Sequence, residues 1–320
     1  MKVMEKPEET KPSVYRVQNW SSYNQSLVNR GNITLWIAPE IATTWYFQGT
    51  QQPGGEKVYS DNCIECLLML KCVFGLAYRQ LEGFANSIVT MMNLNLQVPN
   101  YSQINRRAKA IDVSFSLPKK SENIHLVVDS TGLKVFGEGA WKVRKHGYSK
   151  RRVWKKLHLG IDANTGMVHC QTLTEAGEDD AGQTEELLEQ VPVEQVEIFS
   201  GDGAYDKIKC WTLLEQFGIT PIIPPRIDAI YWVDKNNELL EHPRNHILEQ
   251  VDATSLREWK KQSGYHRRSL AETAMMRWKV TFGDTLFSRQ ENRQQTEAKI
   301  KVKVLNKMTQ TGRPISKKIA

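Results

Sequence analysis

Ile124-His125-Leu126-Val127-Val128-Asp129 is the stretch of sequence that decides the fold. It is short, rich in branched apolar side chains and closed by an acid, which is the pattern of a buried strand. Two further runs, at 154–161 and 167–173, partly alternate apolar with polar residues, and turn-forming residues at 162–166 separate them. These three runs predict an antiparallel meander.

Helical and strand patterns then alternate along the chain, which predicts an α/β fold. We expect a mixed five-stranded sheet flanked by helices, with a helical region before it. The predicted elements after the meander are a helix at 180–190, a strand at 193–199, a helix at 204–217, a strand at 219–223 and a late helix at 269–282 that Gly283 ends.

Composition divides the chain into four parts. Residues 1–12 are charged and contain proline, so we expect disorder there, and 13–118 forms a helical region. Three short helices ending in a basic one fit a helix-turn-helix arrangement and, equally, a helical bundle packed on the rest of the protein. The sheet domain is predicted at 119–288, with an insertion at about 226–264 that has no strong periodicity. A basic helix and tail follow at 289–320.

The chain has a formal net charge of +7 and a pI near 9.0, unevenly distributed. The stretch 134–156 holds nine Lys or Arg and one acid, whereas 157–203 holds eleven acids and no Lys or Arg. This balance suits a nucleic acid partner, and it also fits a merely basic soluble protein. In the first stretch we favour DNA-backbone contact over a solvated hairpin loop, through Lys142, Arg144, Lys145, Arg151 and Arg152. A second backbone contact and an exposed helix face are equally compatible with Lys299, Lys301, Lys303 and Lys307.

Cysteine usage and hydropathy indicate a cytoplasmic protein without a membrane span. The five cysteines are irregularly spaced, which does not fit a disulfide framework. Cys63 and Cys66 form the only CxxC, and with no second pair we interpret them as core residues of a helix rather than zinc ligands. The start of the chain is polar, unlike a signal peptide, and the longest apolar run is too short to cross a bilayer.

Two acids lie where predicted strands end. Asp129 closes the first strand, and Asp202 follows the fourth between Gly201 and Gly203. Ligands of open α/β sheets gather at the carboxyl ends of strands, and glycines allow a close approach to the backbone. The pattern therefore favours one shared site slightly over two unrelated turn acids. Asp206, four residues further on, is interpreted as an acid at a helix start.

The third candidate acid, Glu272, lies in the late helix. At about 100° per residue, Arg268, Glu272, Met275 and Lys279 share one helix face. Alone, this pattern fits a solvated face with an Arg–Glu pair. If the three acids share one site, they suit phosphodiester chemistry, because three carboxylates can hold two Mg²⁺ ions, or Mn²⁺ in their place, that stabilise the attacking and leaving oxygens.

The spacing Tyr265, Arg268, Glu272 and Lys279 resembles the Y-(2)-R-(3)-E-(6)-K signature of bacterial insertion-sequence DDE transposases. The surroundings of Asp129 and Asp202 resemble the first two catalytic-acid motifs of that group. Stretches at 19–24, 141–147 and 156–160 resemble its IS-five branch, so the resemblance extends over most of the chain.

This resemblance implies an RNase H-like fold and a transposase that cuts and transfers DNA strands at terminal inverted repeats. Asp129, Asp202 and Glu272 would hold the metal, and Tyr265, Arg268 and Lys279 would support the site or contact DNA. The implied partners are the double-stranded transposon ends, target DNA and further copies of the chain, as a homodimer or higher multimer at the bacterial nucleoid. Two alternatives stay open: a catalytically silent sequence-specific regulator and a plain RNase H-like nuclease.

Overall fold

The structure, a computed structural model, describes residues 15–51, 56–115, 123–136 and 154–319 of the 320-residue chain. The segment 1–12 lies outside the described residues. So do the five basic residues assigned to the DNA backbone, Lys142, Arg144, Lys145, Arg151 and Arg152. Within the described ranges, no helix combines the length and apolar character needed to cross a membrane.

The N-terminal region, 15–115, is mainly helical, as predicted, and has its own apolar core. Trp36 and Trp45 are buried there around a helix that Ser60 caps and that ends at Gly75 in the left-handed conformation. Cys63 and Cys66 are free and buried in this helix, which confirms that they are core residues. The elements are β1 (Tyr15–Val17), α1 (Trp20–Asn29), α2 (Ile33–Trp36), α3 (Asp61–Phe74), α4 (Tyr78–Met91) and α5 (Tyr101–Arg107).

A mixed sheet forms the centre of the second region. Its first three strands form the predicted antiparallel meander. Two later strands join in parallel, so the sheet is mixed, as predicted. All five predicted strands are present. A sixth strand of two residues, too short to leave a periodic signal, pairs with the far end of the first. The sheet contains β2 (Ile124–Val135), β3 (Trp154–Asp162), β4 (Val168–Glu175), β5 (Val196–Ser200), β6 (Thr220–Ile222) and β7 (Thr285–Leu286), ordered β4-β3-β2-β5-β6 with β7 beside β2.

Strand β2 is longer than predicted. Its apolar run ends at Asp129, but the strand continues to Val135 because β3 pairs with it from Leu126 to Lys134. Asp129 therefore lies inside a strand, and the prediction that it ends one is wrong. Backbone pairing with a neighbouring strand maintains β2 beyond the point where its apolar pattern stops.

Both faces of the sheet are covered by helices. Leu126 and Val128 face one apolar cluster and Val127 faces another, since successive side chains of a strand point to opposite sides. The insertion predicted to lack periodicity contains two helices. The helices of this region are α6 (Thr184–Leu188), α7 (Ile208–Gln216), α8 (Pro243–Ala253), α9 (Leu256–Gln262), α10 (Ser269–Phe282) and α11 (Glu291–Gln310).

Helix α11 lies between the N-terminal core and the sheet. Ile300 and Val304 join the first core, while Ala298 and Val302 join the cluster on the sheet. Its lysines have partners within the protein, but only Lys301 is buried: Lys299 lies 3.9 Å from the exposed Asp112, Lys301 pairs with Glu297, Lys303 pairs with Glu65, and Lys307 lies 6.0 Å from the centre of the Trp36 ring. After this helix, β8 (Ser316–Lys318) pairs with β1.

Side-chain amides cover the open edge of the sheet. Asn306 of α11 donates to and accepts from the backbone of Val168, at 2.7 and 2.8 Å. Gln190 accepts from the backbone of Gln171, and Gln295 donates to the carbonyl of Leu173. These backbone groups of β4 thus have side-chain partners, which hinders pairing of this edge with another strand.

Candidate active site

The parallel register of β2 and β5 brings Asp129 and Asp202 together. Val127 of β2 is paired with Ser200 of β5. Asp129 lies two residues after Val127, and Asp202 lies two residues after Ser200. Asp129 is largely buried, with 14% of its side chain exposed, whereas Asp202 is 39% exposed. One acid is therefore fixed in the sheet and the other faces solvent at the same end.

A tight turn after β5 orients Asp202. Its side chain accepts a hydrogen bond from the backbone of Ala204 at 2.9 Å, which starts a single 3₁₀ turn at Gly203–Tyr205. A Cβ atom at Gly201 would lie 2.6 Å from the Tyr205 ring, so glycine is required there to admit the tyrosine. The expectation that Gly201 makes room for a ligand is therefore replaced by a packing reason.

Glu272 reaches the site from α10, in the first turn of that helix. A 3₁₀ turn, Tyr265–Arg268, precedes the helix and directs the Arg268 guanidinium at all three acids. Nη1 of Arg268 donates to Glu272 at 2.7 Å, and Nη2 donates to Asp129 at 3.0 Å and lies 3.9 Å from Asp202. Three distant parts of the chain thus converge on one cation.

The three carboxylates influence one another and the arginine. Burial raises the pKa of Asp129, and Asp202 and Glu272 raise it further, against the backbone hydrogen bond from Ser130 and the charge of Arg268. Burial lowers the pKa of Arg268, but the three carboxylates outweigh it and raise that pKa above its usual value. The three carboxylates therefore stabilise the positive charge of Arg268.

A buried polar network lies beneath the two aspartates. Asp180 accepts from Lys156 at 2.8 Å and lies 3.2 Å from Nδ1 of His158. Although burial raises the pKa of Asp180, hydrogen bonds from His158, Lys156 and Ser130 hold it well below its usual range. Burial, followed by the charges of Asp180, Asp129 and Asp202, raises the pKa of the Tyr205 hydroxyl. No spacing in the sequence relates Asp180 to β2, so this network was not predictable.

The two other signature residues, Tyr265 and Lys279, lie in different surroundings. Tyr265 lies beside the acids; burial raises the pKa of its hydroxyl, and its ring is 6.2 Å from that of Trp259. Lys279 lies on the exposed face of α10, about two turns beyond Glu272, and within the described residues it has no ion pair with the three acids. Met275, assigned to the same helix face, is buried.

Asp206, interpreted as an acid at a helix start, has a structural role instead. It is 1% exposed and accepts from Arg244 of the insertion at 3.1 and 3.2 Å and from the indole of Trp211 at 3.1 Å. The helix that follows begins only at Ile208. The positive charge of Arg244, and not a helix dipole, compensates the negative charge of Asp206.

His125 connects β2 with β5 and with the turn that carries Arg268. Its Nε2 is 2.7 Å from the Ser200 hydroxyl, and its Nδ1 is 3.2 Å from the guanidinium of Arg267. Burial, together with the charge of Arg267, lowers the pKa of His125 to about 4. This histidine is thus a neutral positioning group that the sequence did not reveal.

The His125 contacts predict a fall in stability in mild acid. The unfolded chain takes up a proton at the ordinary value of 6.5 and the folded protein only near 4, so stability is complete above pH 6.5 and decreases as the pH falls to about 4. We expect the His125→Gln variant to lose this part of the decrease. Urea unfolding of both proteins from pH 7 to pH 4 measures it, and parallel curves would contradict the assignment.

The donor set fits a divalent metal. Carboxylate oxygens are the hard ligands that Mg²⁺ and Mn²⁺ favour. In the described part of the chain no three His, Cys, Asp or Glu side chains are already arranged as a metal site, and here a guanidinium lies among the carboxylates. A cation at the centre of the three acids shows that the site accommodates positive charge.

The sheet order and the helices on both of its faces define an RNase H-like fold. Two family models, both described as Transposase DDE domain, match residues 28–138 and 120–307, and the second covers more than half of the chain. The chain therefore belongs to the DDE transposase family. Members of this family are polynucleotidyl transferases, and their DDE domains generally use divalent metal ions.

Similar solved structures are remote. A piggyBac transposase synaptic complex with hairpin DNA is 10% identical with a TM-score of 0.40, over 88% of this chain and 73% of that one. The Mos1 mariner paired end complex with Mn is 10% identical with a TM-score of 0.22, over 75% and 83% of the two chains. The Mos1 strand transfer complex is 10% identical with a TM-score of 0.23, over 84% and 82%. Family membership rests on the sequence models.

Proposed function

We propose that this protein is an insertion-sequence transposase of the IS-five branch with the Y-R-E-K signature. It binds terminal inverted repeats and catalyses DNA strand cleavage and strand transfer, with Asp129, Asp202 and Glu272 as the ligands of two Mg²⁺ ions that Mn²⁺ can replace. The observation that carries the proposal is the convergence of these three acids, from β2, the turn after β5 and α10, on one guanidinium.

The chemistry supplied by a bound pair of Mg²⁺ ions is activation of a water or 3′-hydroxyl and stabilisation of the leaving 3′ oxygen. The chain's own residues hold and surround that pair. Asp129 is fixed by a 2.8 Å hydrogen bond from the backbone of Ser130, while the more exposed Asp202 and Glu272 face the side from which DNA approaches. Tyr265, Arg268 and Lys279 lie on the same turn and helix and contact the DNA backbone.

The partners are the double-stranded ends of the element and a target DNA. Net positive charge attracts the phosphate backbone, and the basic stretch 142–152 adds contacts that carry no sequence information. Because two ends are processed together, the working form is a homodimer or a larger multimer on DNA. We place it in the bacterial cytoplasm, at the nucleoid.

The test uses purified full-length protein and linear duplexes that contain either an end of the element or a scrambled end, together with a target plasmid. We expect cleavage at the end and joining to the plasmid in Mg²⁺ or Mn²⁺, and neither in EDTA. Binding of the end without cleavage in either metal would instead identify a regulator. Cleavage without joining and without preference for the end would identify a plain nuclease.

A further inference from the structure

We infer that Arg268 and divalent metal are alternative partners of the three carboxylates, and that a DNA phosphate exchanges one for the other by drawing the guanidinium away. The inference rests on the proposed function, because it assumes that Asp129, Asp202 and Glu272 are the metal ligands. It assigns Arg268 a further role: it withholds metal from the protein until DNA is bound.

The contacts of Arg268 carry the first step of the argument. Its side-chain hydrogen bonds and ion pairs go to the three acids, one oxygen of each, at 2.7, 3.0 and 3.9 Å. Mg²⁺ needs ligand oxygens at about 2.0–2.1 Å in near-octahedral geometry. The guanidinium lies between one oxygen of each acid, so it takes the space that a cation shared by the three carboxylates would occupy, and its positive charge repels that cation. Metal binding by all three acids together therefore favours movement of Arg268 away from them.

The surroundings of Arg268 allow this movement. Its side chain is 21% exposed, and its Nε is buried and has no hydrogen-bond partner among the described residues. Among the described residues, its side-chain hydrogen bonds and ion pairs are all to the carboxylates. The neighbouring Arg267 is anchored instead, donating to Asn164 at 2.7 Å and contacting His125. Arg267 thus fastens the turn to the sheet while Arg268 can move.

A phosphate is the anion that suits the released guanidinium. Arginine binds phosphate oxygens through two parallel charge-assisted hydrogen bonds, which replace those lost from the carboxylates. Removing the guanidinium leaves three carboxylates close together without a counter-charge, and a divalent cation then compensates them. DNA and metal consequently increase each other's affinity, as any two coupled ligands must. Free protein, in contrast, binds metal weakly.

The experiment measures Mn²⁺ binding to full-length protein without DNA, by isothermal calorimetry or by the free-Mn²⁺ electron paramagnetic resonance signal. We expect Arg268→Gln to raise Mn²⁺ affinity on the order of tenfold, the range of typical coupling between two ligands. The control is Lys261→Gln, which removes one positive charge from an exposed pair with Glu258 and should leave the affinity within about twofold. Circular dichroism confirms that each variant is folded.

A second arm adds a 20-base-pair duplex. For the wild-type protein we expect the duplex to raise Mn²⁺ affinity, and for Arg268→Gln we expect a smaller increase from a higher starting value. An unchanged or reduced Mn²⁺ affinity in Arg268→Gln overturns the inference, as does an equal rise in Lys261→Gln. If wild-type protein still cleaves DNA in that case, only the inference fails. Absence of Mn²⁺ binding to both proteins even with DNA defeats the proposed function as well.

Discussion

Glu272→Gln is expected to remove strand cleavage and transfer while leaving the fold and the binding of transposon-end DNA intact. Glu272 is the most exposed of the three acids, at 57%, and its side-chain partner is Arg268. Glutamine keeps the size and helix preference of the side chain but lacks the negative charge that a divalent ion requires. Loss of a residue that only hydrogen-bonds a metal ligand typically lowers metal affinity or activity about 10–100-fold. Loss of a direct ligand should therefore lower the cleavage rate by more than roughly 100-fold.

The measurement compares initial rates of end cleavage in saturating Mg²⁺ with DNA affinity from fluorescence anisotropy. Glu258→Gln is the control, because Glu258 is also a helical carboxylate paired with a nearby base, Lys261, at 3.3 Å. It should cleave like the wild-type protein. Asp202→Ala should match Glu272→Gln, with cleavage lost and binding kept. Unchanged strand transfer in Glu272→Gln would refute its assignment as the third ligand.

Local sequence patterns favoured one shared site for Asp129 and Asp202, and the family resemblance added Glu272. Parallel pairing of the two apolar runs places Val127 beside Ser200, so Asp129 and Asp202, each two residues further on, come together. The signature spacing selected Glu272 from a helix whose periodicity alone indicated only a solvated face. That the acids contact one guanidinium depends on how the turn Tyr265–Arg268 packs on the sheet, and no local pattern encodes such packing.

The predictions that were wrong have a common cause. Composition did not show that Lys301 of α11 is buried, because the two cores that flank this helix come from distant parts of the chain. Strand β2 passes Asp129 because β3 continues to pair with it, and β7 is too short for any periodic signal. In each case the deciding partner is distant in sequence. Individual residue preferences are weak beside such tertiary contacts.

The buried pair Asp206–Arg244 is the strongest example of a contact between residues distant in sequence. We expect its loss to have the largest effect on stability. Both side chains are almost completely buried, and Asp206 also accepts from the indole of Trp211 and from the backbone of Arg226. The pair joins the turn before α7 to the insertion. Removing one member leaves the other charge buried without a partner, which costs about 3–5 kcal/mol. We therefore expect Asp206→Ala to lower the free energy of unfolding by that amount.

Urea unfolding of the variant at pH 7 measures the loss. Lys207→Met is the control, because Lys207 is the next residue and its pair with Asp179 is exposed on both sides; that variant should lose less than about 1 kcal/mol. The double variant Asp206→Asn/Arg244→Met should recover part of the loss, since neither buried charge then remains. A loss below about 1 kcal/mol in Asp206→Ala, similar to that of the exposed pair, would contradict a buried pair between the insertion and the sheet. Recovery in the double variant would show that the penalty arises from an uncompensated charge and not from a lost contact.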